Sequence, residues 1–495
     1  DGSYTVGAVI LFNASYNDSV VVDTSGGSPK LSLNSGVNAT YVGGSGTNDL
    51  QFSYTIAANQ FSSDLDYAST DSLILNGATI KDSTGNNANN TLPVTGTFAG
   101  VHAIIVDSFL PILTSVHIES NNSNKSIAKV GDAILLNFTS NETLSATPIV
   151  TIAGQNAAVA SNGGNSYNAT FVMTGAQSEG NIVFIVGFTD IAGNNGINVS
   201  ATIDSSNVIF DMTVPMIAQV TPIPAYTKNN TPAYTFNSTE IGAITYTGLC
   251  NSSTANAIVG NNAIVLNTLA DGLYNSCNIT IMDGAGNPSN LLTISSFSVD
   301  TIVPVLTSAH IESNNSNKSI AKVGDIILVN FTSNETLVAM PLVNISGNVA
   351  TVVSNGGNSY NATYIMNGGN IEGDVPLLIN FIDQAGNAGI VVGSTSDSTN
   401  VTFDKTAPTI AQVIAVATPT NDSTPDYVFN STEAGTITYA GGCIGNVSTA
   451  IVGNNTLSFN TLGDGIYNAC TIQVTDAYGN PSNVINLTAF TVDTT

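Results

Sequence analysis

The chain contains an internal duplication with a long, fixed period. The segment that begins at His117, HIESNNSNKSIAKVGDAILLNFTSNETL, returns as HIESNNSNKSIAKVGDIILVNFTSNETL from His310, which lies 193 positions later. The same shift takes Cys250 to Cys443 and Cys277 to Cys470. Self-similarity at a fixed period is typical of repeat architectures, in which each unit folds as a small module. We therefore expect an array of domains rather than one large core.

A shorter recurring phrase divides this unit further. The phrase Asp-x-x-Gly-Asn occurs five times, at Asp82, Asp190, Asp283, Asp383 and Asp476. Each occurrence is followed by an apolar phrase that closes on an aspartate, at Asp107, Asp211, Asp300, Asp404 and Asp493. Proline ends strand ladders and stiffens short connections, so the boundaries are placed at Pro111, Pro215, Pro304 and Pro408. The predicted domains, in the order A-B-C-B-C, are 1–110, 111–214, 215–303, 304–407 and 408–495.

The apolar residues within each unit alternate with polar ones. In SYNATFVM, Tyr167, Ala169 and Phe171 share one parity, and Asn168 lies on the other. Short alternating segments separated by Gly, Asn and Asp turns are typical of antiparallel sandwiches, and no convincing helical period is found. The predicted fold is all-β: five tandem immunoglobulin-like antiparallel β-sandwich domains in an elongated array.

Charge excludes two classes of partner. The 495 residues include 34 acidic and 8 basic side chains, all of the latter lysine, for a net charge of -26. A chain without arginine or a basic stripe is a poor nucleic-acid binder and is repelled by anionic lipid. No window carries 18 or more apolar residues, so we expect no membrane span in this chain.

The four cysteines form two equivalent pairs, one in each C domain: Cys250 with Cys277, and Cys443 with Cys470. Their parity suits buried partners, and each bridge would close a loop of about 28 residues, worth roughly 3.5 kcal/mol. Disulfides indicate an oxidising exterior. Free buried thiols are the alternative; zinc is disfavoured because no histidine lies near either pair.

The Asp-x-x-Gly-Asn phrase has two interpretations. In the first, the aspartate caps a turn and the glycine takes the left-handed conformation. In the second, calcium binds to these aspartates together with the closing carboxylates of Asp107, Asp211, Asp300 and Asp404, and makes the joints between domains rigid. The candidate calcium ligands are Asp82, Asp190, Asp283, Asp383 and Asp476. No other cofactor is expected.

Asn-x-Ser/Thr sequons are dense, although the abundance of Asn and Thr would produce many by chance. Asn137, Asn168 and Asn237 have the parity of solvent-facing strand positions, where a glycan would fit. The predicted N-glycosylation sites are Asn13, Asn38, Asn137, Asn141, Asn168, Asn237, Asn330, Asn334, Asn361 and Asn430. Glycans would help a chain with few charges to stay soluble, and this density favours an archaeal source.

We predict no enzymatic activity. The histidines are His102, His117 and His310, and the last two occupy one repeat position. No nucleophile motif, phosphate loop or metalloprotease motif is present, and the paired Asp64 and Asp66 lie in a loop with nothing to mark them as acid and base.

The repeated phrases VGD, GGNSYNAT, DGxYNxC and VDxTxP resemble those of bacterial and archaeal immunoglobulin-like repeat proteins of the cell surface. The resemblance covers the whole chain. It implies an extracellular surface protein of the surface-layer, filament or adhesin type, but the same modules serve several functions.

The B domains begin with a strand ahead of the VGD phrase, as in LTSVHIES before Val130, whereas domain A begins almost on its own Val6-Gly7. At the other end, Thr495 falls where the next junction proline is due. Two explanations stay open: the chain is a window of a longer protein, or a neighbouring subunit donates the missing strand. The expected function is a glycosylated structural subunit of an extracellular prokaryotic filament or surface layer whose partners are copies of itself; the alternative is the stalk of a cell-surface adhesin.

Overall fold

The computed structural model describes residues 1–495 and contains strands and turns but no helix. Its buried apolar side chains form five separate cores. They lie within residues 10–106, 113–210, 217–299, 309–403 and 410–492. The five units are called domains A, B1, C1, B2 and C2. Tandem immunoglobulin-like β-sandwiches, the predicted fold class, are confirmed.

Domain A has a six-stranded sheet, in the order β7-β3-β4-β5-β2-β8, and a three-stranded sheet, in the order β1-β9-β6. Its longest strand, the second, buries Ile10 and Phe12 while Leu11 faces solvent, as period two requires. The strands are β1 (Gly2–Tyr4), β2 (Val9–Asp23), β3 (Lys30–Ser32), β4 (Asn38–Gly43), β5 (Thr47–Thr55), β6 (Phe61–Ser62), β7 (Leu73–Ile74), β8 (Thr79–Asp82) and β9 (Ile104–Asp107).

Domain B1 has a four-stranded antiparallel sheet, β10-β12-β16-β15, and smaller sheets β14-β13-β18 and β11-β19-β17. Ile134, Leu136 and Phe138 of one central strand fill the core. The strands are β10 (Leu113–Ser120), β11 (Ile127–Ala128), β12 (Ala133–Ser140), β13 (Ile149–Ile152), β14 (Gln155–Asn156), β15 (Ala158–Gly163), β16 (Ser166–Val172), β17 (Gly180–Asn181), β18 (Phe184–Gly187) and β19 (Ile209–Phe210).

Domain C1 packs sheet β20-β22-β25 against β24-β23-β27-β28, with a small sheet β21-β29-β26. A disulfide joins Cys250 to Cys277, with Cα atoms 5.1 Å apart, inside the core. The strands are β20 (Ile217–Thr221), β21 (Tyr226–Thr227), β22 (Ala233–Ser238), β23 (Gly242–Thr247), β24 (Asn256–Ala257), β25 (Gly260–Val265), β26 (Gly272–Tyr274), β27 (Asn278–Met282), β28 (Leu292–Thr293) and β29 (Phe297–Val299).

Domain B2 repeats the topology of B1. Its strands are β30 (Leu306–Ser313), β31 (Ile320–Ala321), β32 (Ile326–Ser333), β33 (Leu342–Ile345), β34 (Asn348–Val349), β35 (Thr351–Gly356), β36 (Ser359–Ile365), β37 (Gly373–Asp374), β38 (Leu377–Asn380) and β39 (Thr402–Phe403).

Domain C2 repeats the two main sheets of C1 and the second disulfide, Cys443–Cys470, with Cα atoms 5.5 Å apart. Its strands are β40 (Ile410–Ile414), β41 (Asp426–Ser431), β42 (Gly435–Ala440), β43 (Thr449–Ala450), β44 (Gly453–Ser458), β45 (Gly465–Tyr467), β46 (Thr471–Thr475), β47 (Ile485–Asn486) and β48 (Phe490–Val492).

The first strand of each B and C domain runs antiparallel beside the second long strand. In B1, β10 pairs with β12 along its whole length, and β20, β30 and β40 take the same place in their domains. In domain A, β5 pairs with Val9–Ser15 of β2 on one side, and β8 pairs with β2 only at Val20–Asp23. The other edge of Val9–Ser15 has no strand beside it.

Candidate functional site: the joints between domains

The five Asp-x-x-Gly-Asn phrases form one kind of turn. In domain B2, the Asp383 carboxylate accepts hydrogen bonds from the backbone N–H of Asn387 (2.8 Å) and from its side-chain amide (2.8 Å). Gly386, between them, has φ of 91°, in the left-handed region that favours glycine. Asp190, Asp283 and Asp476 bind Asn194, Asn287 and Asn480 in the same way. The first interpretation of the phrase, a carboxylate-capped turn, therefore describes its local geometry.

Four of these turns also hold the preceding domain. The turn asparagine donates its side-chain amide to the main-chain carbonyl of the aspartate that closes the domain before it. We call the boundary region around each such contact a joint. The four bonds are Asn194 to Asp107 (2.9 Å), Asn287 to Asp211 (3.1 Å), Asn387 to Asp300 (2.8 Å) and Asn480 to Asp404 (3.3 Å). Every hydrogen bond that we find between domains joins consecutive domains, so each neighbour is positioned by its own joint.

Carboxylates meet at the joints. In three of them, one oxygen from each of three acidic residues lies within 4.8 Å of the others. Two of the residues are the closing aspartate and the turn aspartate, as the calcium hypothesis requires; the third is a glutamate that the sequence analysis missed. The groups are Asp107, Glu142 and Asp190; Asp300, Glu335 and Asp383; and Asp404, Glu433 and Asp476.

The glutamate has a sequence signal that could have identified it. It stands two residues after the end of a central strand in every B and C domain, at Glu142, Glu240, Glu335 and Glu433. In the B1–C1 joint, Glu240 completes a looser set with Asp211 and Asp283, which does not meet the 4.8 Å separation of the other three. The four glutamates thus have one place in the repeat, although it lies in a solvent-side turn.

The electrostatics of the joints disfavour the ionised glutamates. Burial, followed by repulsion from Asp300 and Asp383, raises the pKa of Glu335. The pKa values of Glu142, Glu240 and Glu433 are raised by burial and by the corresponding aspartates. No lysine makes a salt bridge with any of these carboxylates. The repulsion among these carboxylates is therefore not offset by a salt bridge.

The donor atoms suit a hard cation. Calcium prefers carboxylate and carbonyl oxygens, and all of the clustered ligands are carboxylates. In the C1–B2 joint, Oε1 of Glu335 is shielded from solvent and has no hydrogen-bond partner. A buried carboxylate oxygen without a donor is costly unless a proton or a cation satisfies it. The residues present thus fit a calcium ion.

The candidate ligand Asp82 stands apart from the other four. Its carboxylate accepts hydrogen bonds from Thr84 and Asn86, which lower its pKa to about 2. Like Asp283, it belongs to none of the three-carboxylate groups, and unlike the Asp283 turn its turn makes no hydrogen bond to another domain.

Lysines reinforce three of the joints. Lys129 of B1 donates to the carbonyl of Gly286 in the C1 turn (2.7 Å), and Lys322 of B2 donates to Gly479 in C2 (2.7 Å). Lys228 of C1 reaches Gly386 in B2 at 3.0 Å. Three of the eight basic residues in the chain therefore make contacts between domains. The sequence analysis missed this role, although Lys129 and Lys322 recur in the duplicated KVGD phrase.

The histidines and loop aspartates make local contacts. Nδ1 of His117 lies 2.6 Å from Asp204, and His310 repeats the contact with Asp397 at 2.6 Å. The ring of His102 lies 4.7 Å from that of Phe98. Asp66 accepts a hydrogen bond from the backbone of Gly96 (2.6 Å), and Asp64 accepts one from Ile104 (3.3 Å). These groups stabilise loops and strand ends.

The sequon asparagines lie at the surface or on the less buried faces of strands. Asn137 and Asn168 are direct cross-strand neighbours, as are their repeats Asn330 and Asn361. Asn13 and Asn38 are exposed, and Asn237 and Asn430 bond to Asn261 and Asn454 on neighbouring strands. Asn141 and Asn334 accept hydrogen bonds from the first backbone amides of their domains, at Ile112 and Val305. Glycosylation of these sites stays a prediction.

No protein-family model and no curated protein matches the chain. Among solved structures, it is similar to a Ca2+-stabilized adhesin that helps an Antarctic bacterium reach out and bind ice: 16% identity, 77% of this chain and 100% of that chain covered, TM-score 0.32. It is also similar to an ectodomain fragment of ICAM-5, with 14% identity, 76% of this chain and 100% of that chain covered, and a TM-score of 0.30. An I-band fragment of titin matches at 8% identity, with 61% and 99% covered and a TM-score of 0.30. The chain has no helix long and apolar enough to cross a membrane.

Proposed function

We propose that this chain is a non-enzymatic structural rod of an extracellular, cell-surface assembly, such as a prokaryotic filament or surface layer. The observation that carries the proposal is the joint: one asparagine-to-carbonyl contact, made by the same turn, recurs at four successive domain boundaries. A chain of independent binding modules does not need such a repeated contact. A rod that must hold its shape does.

Three of the four joints connect their two domains through more than one hydrogen bond. In the B1–C1 joint, the turn of C1 accepts hydrogen bonds from Lys129 and Asn122 of B1, while its Asn287 reaches back to Asp211. Three hydrogen bonds restrain the orientation of C1 on B1 more strongly than a single bond would. The two disulfides support an oxidising, extracellular location.

Calcium is the proposed ligand of the joints. An ion between the closing aspartate of one domain and the turn aspartate and glutamate of the next would bridge two domains and neutralise their repulsion. Asp107, Asp300 and Asp404 would bind it from the preceding domain, and Glu142, Glu335 and Glu433 from the following one. Binding would then convert a repulsive contact into an attractive one.

Glycosylation and assembly complete the proposal. N-linked glycans on the exposed sequons would keep this weakly charged surface soluble, and their density motivates an archaeal source. Subunits would assemble by strand donation to the open edge of β2 in domain A. The stalk of a surface adhesin, the alternative, would use the same joints but would not need an acceptor edge on domain A.

Small-angle X-ray scattering of the full chain at concentrations where it is monomeric tests the rod. In calcium the scattering should fit a rigid particle, and chelation should increase flexibility and broaden the distance distribution. Glu335→Gln combined with Glu433→Gln should reduce this calcium response, whereas Asp71→Asn, which removes an exposed carboxylate outside every joint, should not. A flexible chain in both conditions would contradict the proposal.

A further inference from the structure

The joints differ in one contact, the lysine that reaches the following domain. In B1, C1 and B2, a short strand runs parallel to the closing strand of the domain and is followed at once by a lysine. Lys129, Lys228 and Lys322 each donate to the carbonyl of the turn glycine in the next domain. Lys228 lies outside the KVGD phrase, so the place in the fold, and not the phrase, defines this contact.

Domain A has a threonine in this place. Its strand β1 also runs parallel to a closing strand, β9, and Thr5 follows β1 directly. The backbone turns after Thr5 and Lys129 are alike, because their carbonyls accept 3.1 Å hydrogen bonds from the amides of Ala8 and Asp132. Thr5 is therefore the counterpart of the three lysines.

Thr5 faces the A–B1 joint but is too short to bind across it. A Cβ atom placed on Gly193, the turn glycine of B1, would lie 4.0 Å from Cγ2 of Thr5. In the B1–C1 joint, a Cβ atom on Gly286 would lie 3.1 Å from Nζ of Lys129. Thr5 thus approaches its partner turn from the side that Lys129 uses, and its side chain makes no hydrogen bond to B1.

The A–B1 joint consequently has the fewest hydrogen bonds. One bond crosses it, the 2.9 Å contact of Asn194 with Asp107. Two cross C1–B2, and three or more cross B1–C1 and B2–C2. The A–B1 joint nevertheless contains a full acidic group, formed by Asp107, Glu142 and Asp190. Direct attraction between domains is therefore weakest at a boundary where three carboxylates meet.

We infer that the A–B1 boundary is a hinge that a divalent cation locks. Without the cation, a single hydrogen bond opposes the repulsion of Asp107 by Glu142 and Asp190, and domain A moves about residues 108–111. The cation shifts this equilibrium because its three ligands come together only when the two domains are docked. The three later joints keep their lysine contacts and stay docked without it. The inference rests on the proposed calcium-stabilised rod and identifies the joint at which calcium regulates its rigidity.

Double electron–electron resonance on the full chain tests the hinge. Spin labels at Asp71→Cys in A and Ala160→Cys in B1 report the A–B1 distance, and labels at Ala160→Cys and Thr268→Cys in C1 report the next one. The three positions are exposed, and the four native cysteines are held in disulfides. In EDTA the A–B1 distance distribution should be broad and the B1–C1 distribution narrow. Millimolar calcium should narrow the first and leave the second unchanged.

Thr5→Lys should lock the hinge without a cation. The new amine can reach the carbonyl of Gly193 as Lys129 reaches that of Gly286. The ratio of docked to undocked chains in EDTA should therefore rise about tenfold, corresponding to 1.4 kcal/mol. Thr5→Met, which lengthens the side chain but adds no donor, is the matched control and should keep the broad A–B1 distribution.

Three results would overturn the inference. They are an A–B1 distribution in EDTA as narrow as that of B1–C1, an A–B1 distribution that calcium leaves broad, and a Thr5→Lys chain as mobile as the Thr5→Met chain. If any of these occurs while the B1–C1 distribution stays narrow, the hinge fails and the proposed rod stands. Broad distributions across both boundaries in calcium would instead contradict the rod.

Discussion

The side-chain amide of Asn387 donates a 2.8 Å hydrogen bond to the main-chain carbonyl of Asp300, and this bond crosses from domain B2 to domain C1. The same amide also binds the Asp383 carboxylate at 2.8 Å. One buried side chain therefore closes its own turn and holds the neighbouring domain. Folding of the turn and docking of the domain are coupled through this residue.

Replacing Asn387 with alanine should weaken the C1–B2 joint. The substitution removes the side-chain donor to the carbonyl of Asp300 and to Oδ2 of Asp383, while the backbone bond to Oδ1 remains, and should lower the free energy of unfolding by about 1–3 kcal/mol. Chemical denaturation of the full chain measures the loss. Asn86→Ala in monomeric protein is the matched control. Its turn makes no contact with another domain, so this variant should lose less free energy of unfolding. Equal losses would show that the contact across the joint contributes nothing.

Lys322→Met should loosen the B2–C2 joint. It removes the hydrogen bond to Gly479 but keeps most of the aliphatic stem, so we expect a loss of about 1 kcal/mol. Hydrogen exchange of the amides in Asp476–Asn480 should become faster. Lys318→Met removes the charge of an exposed lysine in the same domain and should leave this exchange unchanged. If these amides exchanged as slowly in Lys322→Met as in the wild type, the lysine contact would have no role in the joint.

The joints should give the chain an unusual pH dependence in the absence of calcium. The pKa values of Glu142, Glu335 and Glu433 are raised by burial and by neighbouring aspartates, so the folded state binds protons more tightly than the unfolded state. Stability should therefore increase as the pH falls from neutral towards 4.5, the ordinary pKa of these groups. Asp82, Asp204 and Asp397, which lie outside the three acidic groups, have lowered pKa values because they accept hydrogen bonds, so the stability that they contribute is lost only at lower pH.

Thermal unfolding in EDTA across this pH range measures the effect. Saturating calcium should remove this increase in stability at lower pH, because protons and calcium compete for the same carboxylates. If the temperature of the unfolding midpoint in EDTA fell steadily as the pH was lowered from neutral, the electrostatic account of the joints would be contradicted.

Each disulfide should stabilise its own domain. Replacing Cys250 and Cys277 together by alanine should destabilise domain C1 by about 3 kcal/mol, because the bridge restricts the unfolded chain. Differential scanning calorimetry should show one transition moved to lower temperature. Domain C2, with Cys443–Cys470 intact, is the internal control, and an unchanged profile would contradict the prediction.

Local patterns in the sequence predicted most of the fold. The alternation around Phe138 and Tyr167 and the parity of the cysteine pairs depend on period two, which the strands preserve. The six-stranded sheet of domain A was not predicted, because it depends on β2 continuing past Ser15 to pair with β8 at Val20. A shift of pairing register within a long strand leaves no periodic signal.

The joints were predictable only in part. The closing and turn aspartates are conspicuous because they recur beside Pro and Gly, and a shared role for them was predicted. Glu335 was missed because a lone glutamate in a polar turn resembles any surface residue until the preceding domain is docked. Lys322 was missed for the same reason: its partner, the carbonyl of Gly479, belongs to another domain. Contacts between folded units depend on tertiary geometry that strand patterns do not encode.

Calorimetric titration of the monomeric chain with calcium at neutral pH tests the central claim, that cations bind in the joints, most directly. The account predicts saturable binding that is weakened in Glu335→Gln and in Glu433→Gln, each of which removes a ligand from one joint. The Asp71→Asn chain should bind as the wild type does. Absence of binding, or binding unchanged in both glutamate variants, would contradict the claim.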